Sequence, residues 1–427
     1  MDSGLTSYKS ALDRLFARTG STARFGLERT RALLTLLGNP HERISCIHVA
    51  GTNGKGSVVA TIENLLRAKP DGLRVGRYTS PHLVDFRERI VVDGEQIGED
   101  EVLSFINRWE VESERLGATF FEITTALALD HFASREVDVA IIEAGLGGRL
   151  DSTNVITPVV AGVTSIGIDH TEYLGNSITG IAREKGGIYK RGVPAVFGPV
   201  SDEVREALVE TATMAGASPV IAADELFHAS NVSTGSGGTS FDVESKGARV
   251  TLRTGLIGEH QAANACVALA MLDAAGGRWR VSLAEAQRSL PAVSMPGRFQ
   301  RKGKFILDVA HNPDGMRTLV KSLEAVAPPR PIVAVLGVLR DKDWREMMAV
   351  LSLAVDRIIV TNPTSAPPAR CWDASEAAEF GAENGWNVAL ISDLPSAVAL
   401  AATEAATVLI TGSFHTVGDA SMCDVVH

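Results

Sequence analysis

Apolar residues along this chain fall into short, nearly continuous runs, separated by longer stretches where they recur every three or four positions. Residues 7–18 and 27–37 carry helical spacing, broken at Gly20 and ended by Gly38-Asn39-Pro40. Ile44 to Ala50 is short and mostly apolar and reads as a buried strand. A glycine-rich turn follows, and a helical pattern runs from Ser57 to about Ala68. Val137–Ala144 and Val159–Ile168 repeat the strand pattern; the first leads through Glu143 into Gly145-Leu146-Gly147-Gly148, the second into Asp169-His170. Strands alternating with helical stretches predict an α/β fold with a mostly parallel sheet covered on both faces. Ligands of such sheets sit at the carboxyl ends of the strands, and all three strands end in polar or glycine-rich segments.

Farther along, 229–247 is rich in Ser and Gly and predicts short strands or a loop, whereas Ala, Leu and Met make Gln261–Ala275 a helix. Pro296-Gly297 punctuates the chain. Strand–helix alternation then restarts, with strands expected at 305–309, 332–336, 357–360, 388–391 and 407–410. The pattern divides the chain into a larger domain, 1–297, and a smaller Rossmann-like domain, 298–427. No internal repeat is evident.

Length and charge narrow the function. A chain of 427 residues suits two or three domains, and 45% hydrophobic with 22% charged residues is an ordinary globular composition. The net charge of −10 argues against a nucleic-acid partner, although a few Lys and Arg in one cleft can still attract an anionic substrate. Cys46, Cys266, Cys371 and Cys423 are scattered, with no pair at metal-ligand spacing, which suits a reducing compartment. Met1-Asp2-Ser3-Gly4 does not open a secretory signal, and no run of apolar residues is long enough to span a bilayer. A cytoplasmic, membrane-free protein is the expectation.

Gly51-Thr52-Asn53-Gly54-Lys55-Gly56-Ser57 lies between a strand and a helix, the context of a phosphate-binding loop. Glycines let backbone N–H groups converge on phosphate oxygens, the helix N-terminus adds partial positive charge, and Lys55 adds a full one. Ser57 could reach magnesium. The first glycine precedes Lys55 by four residues rather than six, and Gly56 stands where Ser or Thr usually follows. A plain glycine-rich turn with a solvated lysine is the alternative. Glu143 ends a buried strand, where P-loop enzymes commonly keep a magnesium-holding acid; alone it reads equally well as a surface acid. His170 by itself could be a loop residue. Asn-Lys-x-Asp occurs nowhere, which disfavours a guanine-nucleotide switch.

In order along the chain, these segments resemble the folylpolyglutamate synthase and dihydrofolate synthase family, a branch of the Mur ligases. The similar stretches include Phe25 to Arg29, His48 to Ser57, Tyr78 to Leu83, Phe120-Phe121-Glu122, Glu143 to Asn154 and Gly167 to Leu174. Arg183 to Pro194, Gly258 to Leu269, Pro296 to Phe299 and Leu307 to Pro313 complete them. The resemblance implies that ATP converts a carboxylate to an acyl phosphate, which the amine of L-glutamate attacks. Such chemistry rests on positioning and charge neutralisation.

Carried over by motif, the resemblance places ATP on Thr52, Asn53, Gly54, Lys55, Gly56, Ser57, Asn264, Arg298, Asp308 and His311. It implies magnesium on Ser57, Ser80, Glu143 and His170, with Lys55, Lys185 and His170 serving catalysis and Lys185 carbamylated. Dihydropteroate or folate would lie near Phe25, Phe120, Phe121, Glu122, Leu150, Asp151 and Ser152. Rings there suit a flat heterocycle, although plain core packing explains Phe120 and Phe121 equally well. Thr411-Gly412-Ser413-Phe414-His415 follows the family ending only loosely, so glutamate at Lys342 and Ser413 rests on analogy.

The leading expectation is a monomeric enzyme that makes dihydrofolate and extends folates. The alternatives are folate extension alone, a cell-wall Mur ligase, or an ATP-binding regulator without ligase activity. The P-loop strand begins near residue 44, without the extra N-terminal substrate domain of the cell-wall enzymes.

Overall fold

The computed structural model describes residues 7–18 and 26–426. Its central sheet contains β1 (Ser45–Ala50), β2 (Val75–Tyr78), β3 (Ile90–Val92), β4 (Glu95–Gln96), β5 (Val139–Glu143), β6 (Val160–Val163), β7 (Ala195–Phe197) and β8 (Val220–Ala222). They lie in the order β4-β3-β2-β5-β1-β6-β7-β8. From β2 to β8 every pairing is parallel, while β3 and β4 add an antiparallel edge.

Successive side chains of a strand point to opposite faces, and here both faces are buried. Ile47, Val49, Val139 and Ile141 pack on one side against the helices Lys55–Arg67 and His260–Ala275. Cys46, Ala140 and Ile142 pack on the other, under the helices Glu28–Leu36, Glu99–Arg115 and Phe120–Ser134. That double burial is why β1 and β5 read as continuous apolar runs. Helix Lys55–Arg67 fully covers Val58, Val59, Ile62 and Leu66. Each such side chain contributes roughly 1.5–3 kcal/mol of burial, which anchors the phosphate loop at its start.

The Ser- and Gly-rich segment forms strands rather than a loop. β9 (His228–Gly235), β10 (Gly238–Ser245) and β11 (Ala248–Thr254) make an antiparallel meander. Phe241, Val243 and Leu252 from it cover the far side of helix His260–Ala275, which is therefore apolar nearly all round.

A second α/β unit holds β12 (Gln300–Lys302), β13 (Phe305–Asp308), β14 (Ile332–Leu336), β15 (Arg357–Asn362), β16 (Val388–Asp393) and β17 (Thr407–Thr411). The order is β12-β13-β17-β14-β15-β16, with only β12 antiparallel. Ile306, Ala334 and Leu336 face the helices Pro313–Val326 and Trp344–Leu351, while Leu307, Val333 and Val335 face Leu394–Glu404 and Phe414–Ser421. The mostly parallel central sheet and the smaller Rossmann-like unit agree with the fold read from the sequence. The apolar run at 159–168 yields a strand only to Val163; at its end the Thr164 hydroxyl donates to the Asn53 carbonyl at 2.6 Å. Among the described residues no helix is long and apolar enough to cross a membrane.

Candidate active site

The loop after β1 is shaped by what presses on it. A Cβ on Gly51 would stand 2.0 Å from the Thr164 hydroxyl, and one on Gly54 would stand 2.6 Å from Asn264 Oδ1. With φ of +150° and +83°, both positions need glycine for conformation as well as for space. Thr52 is held by its own partners: its amide donates to Ser165 O at 2.7 Å, and its hydroxyl meets Gly167 N and O at 3.0 and 3.1 Å. Thr52 therefore fixes the loop rather than presenting its side chain to a phosphate. The first helical bond runs from Val58 N to Gly54 O at 2.9 Å, so the amides of Lys55, Gly56 and Ser57 precede the helical ladder. Lys55 Nζ folds back to Gly51 O at 3.1 Å and Thr52 O at 3.3 Å, with Glu143 Oε1 at 4.0 Å.

Glu143 ends β5 beside this loop and is 4% exposed. Its Oε2 accepts from the Ser80 amide at 3.4 Å. Burial pushes its carboxyl above the usual range, against the pull of Lys55 and Arg298. The surface-acid alternative is thereby set aside. Lys185, on helix Ile178–Gly186, is buried and donates to Gly51 O at 3.0 Å, beneath the same loop. Burial, and then the charge of Lys55, bring its amine down to about 7. His170 caps the next short helix in the left-handed region, φ 52°. Burial and Lys342 lower its pKa to about 4, so its imidazole is neutral near pH 7. Among the described residues no three His, Cys, Asp or Glu side chains form a metal cluster. A magnesium site here must draw on hydroxyls and phosphate oxygens as well.

The C-terminal unit reaches the loop directly. Asn53 and Asn312 exchange side-chain hydrogen bonds at 3.3 and 3.2 Å. Arg298 Nη2 would lie 3.7 Å from a Cβ on Gly56, and its guanidinium sits 5.1 Å from the Phe414 ring centroid. Asp308 accepts from the Phe299 and Ala310 amides at 2.8 and 2.9 Å, so it shapes the turn that carries Arg298. His311 is anchored through Nδ1 to Val309 O at 3.0 Å and holds Nε2 3.6 Å from Asp169. Asp169 also takes Lys342 Nζ at 2.5 Å and Asn312 Nδ2 at 3.0 Å. Burial pushes the Asp169 carboxyl up, but His311 and Lys342 outweigh it and hold the group far below the carboxylate range.

On the other side of Glu143, Phe121 lies across Gly145, where a Cβ would meet its ring at 2.4 Å, and Phe120 stacks on Phe16 at 5.3 Å between centroids. Phe120 belongs to the core on this face of the sheet and Phe121 packs against it, as the core-packing alternative expects. Leu150 is half-buried and Ser152 is buried beside the Asp151 turn. Asp151 accepts from the amides of Gly145, Leu146 and Thr153 at 3.0, 2.8 and 3.0 Å, and from the Thr153 hydroxyl at 2.5 Å. Whatever else Asp151 binds, it holds the glycine-rich turn.

Two side chains expected at the substrates already have partners within the protein. Glu122, expected at the folate, is 2% exposed and spent on Thr119 N at 2.8 Å, the Thr119 hydroxyl at 2.9 Å and Arg29 at 2.9 Å. It closes a capping box at its helix start. Ser413, expected at the glutamate, accepts from Thr416 N at 3.0 Å and caps helix Phe414–Ser421. Phe25 lies outside the described residues. The sequence reading missed Asp169 and Asn312; the only signal for Asp169 was its position beside His170 after β6.

The sequence matches the Mur ligase middle domain over residues 49–272 and the Mur ligase, glutamate ligase domain over residues 297–414. The dihydrofolate synthase/folylpolyglutamate synthase of Escherichia coli (strain K12) is 35% identical over 421 residues, spanning 97% of this chain and 94% of that one. The crystal structure of Mycobacterium tuberculosis folylpolyglutamate synthase complexed with ADP and AMPPCP superposes with a TM-score of 0.88 at 33% identity. That match covers 97% of this chain and 98% of the other. Escherichia coli FolC in complex with DHPP and ADP gives a TM-score of 0.82 at 34% identity, over 96% of each chain.

Proposed function

The chain belongs to the dihydrofolate synthase/folylpolyglutamate synthase family of Mur ligases, and from that membership we propose that it joins L-glutamate both to dihydropteroate and to folates. It is an ATP-dependent ligase. The observation that carries the reading is the convergence of Lys55, Glu143 and Lys185 on one glycine-rich loop, with Asn312 and Arg298 closing on it from the glutamate-ligase domain.

The residues divide the work. The free amides at the start of helix Lys55–Arg67, with Lys55, take the ATP phosphates. A carboxylate oxygen of the acceptor attacks the γ-phosphorus while the bond to the β–γ bridging oxygen breaks, leaving ADP and an acyl phosphate. The glutamate amine then attacks the acyl carbon, sheds a proton, and inorganic phosphate departs. Asn264 at Gly54 and Arg298 near Gly56 bracket the loop from two sides and keep the nucleotide in line. His311 and Asp308 set the approach of the C-terminal unit.

Magnesium fits this cleft. Glu143 is a buried acid whose carboxylate lacks full compensation, the Ser57 and Ser80 hydroxyls add hard oxygen, and neutral His170 offers a lone pair. When bound, the ion neutralises charge on the transferring phosphoryl group. A carbamate on Lys185 would add another oxygen ligand. Its support is the amine's burial below Gly51 and a pKa near 7, which leaves a neutral nitrogen available to carbon dioxide. Lys342 as the glutamate site stands as a proposal with one constraint: an incoming carboxylate must compete with Asp169 for it. We assign the enzyme to the cytoplasm as a monomer.

Phosphate release tests the function. Dihydropteroate, tetrahydrofolate and a cell-wall precursor are supplied in parallel with ATP and glutamate. Turnover with the first two and none with the third is expected. Turnover only with the cell-wall precursor would move the protein to the sibling branch.

A further inference from the structure

Among the described residues, one strongly buried cation forms no ion pair. Arg89, at the end of the turn Phe86–Arg89, is 6% exposed. Its Nε donates to His82 Nδ1 at 2.7 Å, and its guanidinium carbon lies 5.1 Å from the Phe120 ring centroid. No carboxylate of the described residues comes within ion-pair distance of it. Glu88 next to it is used by the amides of Leu83, Val84 and Asp85 at 2.7, 3.0 and 2.8 Å, and Asp85 is taken by Arg87 at 2.6 Å. His82 and Tyr78, its polar neighbours, supply lone pairs, and the charges of Glu143 and Glu88 act on it only from beyond ion-pair distance.

Burying an arginine without a carboxylate in contact is costly, because the group keeps its charge in any protein environment. Its position indicates what would balance it. The Arg89 carbonyl accepts from Thr79 N at 3.0 Å, so Arg89 is tied to the residue before Ser80, whose amide meets Glu143. Its head group lies on Phe120, one of the rings that the family resemblance assigns to the acceptor. Arg89 therefore stands between the phosphate end and the aromatic end.

We propose that Arg89 binds the α-carboxylate of the terminal glutamate of a folate acceptor, and so distinguishes folate extension from dihydropteroate ligation. This rests on the ligase reading above. A folate acceptor ends in two carboxylates, of which only the γ one reacts. A guanidinium on the reacting oxygens would draw electron density from the nucleophile; on the α-carboxylate it holds the acceptor without that penalty, in bidentate geometry. Dihydropteroate ends in a single carboxylate, the reacting one, and has nothing to offer Arg89.

The test uses the full-length enzyme with saturating ATP and glutamate. The unaltered protein is assayed with tetrahydrofolate, with its α-carboxamide analogue and with dihydropteroate; Arg89→Gln is then assayed with all three. The amide should raise the acceptor KM about tenfold to a hundredfold in the unaltered enzyme, the range for a charged hydrogen bond. Arg89→Gln should raise the tetrahydrofolate KM similarly, erase the difference between acid and amide, and leave the KM values for dihydropteroate and ATP within about twofold. Equal KM values for acid and amide in the unaltered enzyme overturn the proposal, and this comparison decides alone if Arg89→Gln does not fold. A variant that loses all three acceptors and ATP in parallel also overturns it, because that is the pattern of a structural arginine. If the unaltered enzyme joins glutamate to neither tetrahydrofolate nor dihydropteroate, the ligase reading fails first and takes this inference with it.

Discussion

Asp169 and Lys342 meet across the junction of the two α/β units at 2.5 Å, with side chains 8% and 6% exposed. One follows β6 in the central unit; the other lies in the loop after β14. Removing one member of a buried pair leaves the other charge uncompensated, which costs about 3–5 kcal/mol. Asp169→Asn should therefore lower unfolding stability by roughly that amount and cut ligation with it. The double variant Asp169→Asn/Lys342→Met should recover most of the stability but not the activity. Denaturant unfolding measures the first quantity and phosphate release the second. A single variant within about 0.5 kcal/mol of the parent would show that the contact does not stabilise the junction.

Lys55→Ala and Glu143→Gln address the phosphate end. Each should reduce the ligation rate by about a hundredfold or more, the scale for losing one preorganised charge at a transferring group, with the far-ultraviolet spectrum unchanged. Near-parental turnover in either variant contradicts the loop assignment.

For Lys185 the expected sign follows from its lowered pKa. The amine is mostly protonated below about 7 and mostly neutral above it, and only the neutral form takes up carbon dioxide. Carbamylation should rise with pH through that value. Labelled carbon dioxide should give a carbamate carbon signal at pH 8 that fades by pH 6 and is missing in Lys185→Ala. An amine that stays unmodified with ATP bound at pH 8 sinks the proposal.

Asp151→Ala should impair dihydropteroate ligation more than folate extension, because the shorter acceptor depends more on its pterin end. The geometry adds a control. Asp151 caps the turn Ser152–Val155 through Thr153 N, and loss of such a cap costs ~1 kcal/mol. Asp151→Asn keeps a capping oxygen while weakening any pterin contact, so it should separate the acceptors with less loss of stability. Equal losses on both acceptors would assign Asp151 to the turn alone.

What the sequence revealed depended on distance along the chain. The loop Gly51–Ser57 was legible because strand, glycines, lysine and helix are contiguous, and Glu143 and His170 because each follows an apolar run. Asp169 acquires its meaning from Asn312 and Lys342, 143 and 173 residues away, and such pairing leaves no local trace. Arg89 was hidden among alternating charges in Asp85-Phe86-Arg87-Glu88-Arg89, a pattern that reads as a solvated face. β2 escaped because only four residues form it and one of them is Arg77. The engagement of Glu122 by Arg29 and Thr119 was not legible either, because motif resemblance does not reveal whether a carboxylate is already occupied.

The central claim is a ligase that works through an acyl phosphate and accepts dihydropteroate. One reaction tests it most directly: purified enzyme with ATP, magnesium, L-glutamate and dihydropteroate, all products quantified by mass spectrometry and nucleotide chromatography. Dihydrofolate, ADP and inorganic phosphate should form in equal amounts, with no AMP, and ATP turnover should require both glutamate and dihydropteroate. ATP turnover that ignores glutamate, or no dihydrofolate from an enzyme that still extends tetrahydrofolate, would contradict it.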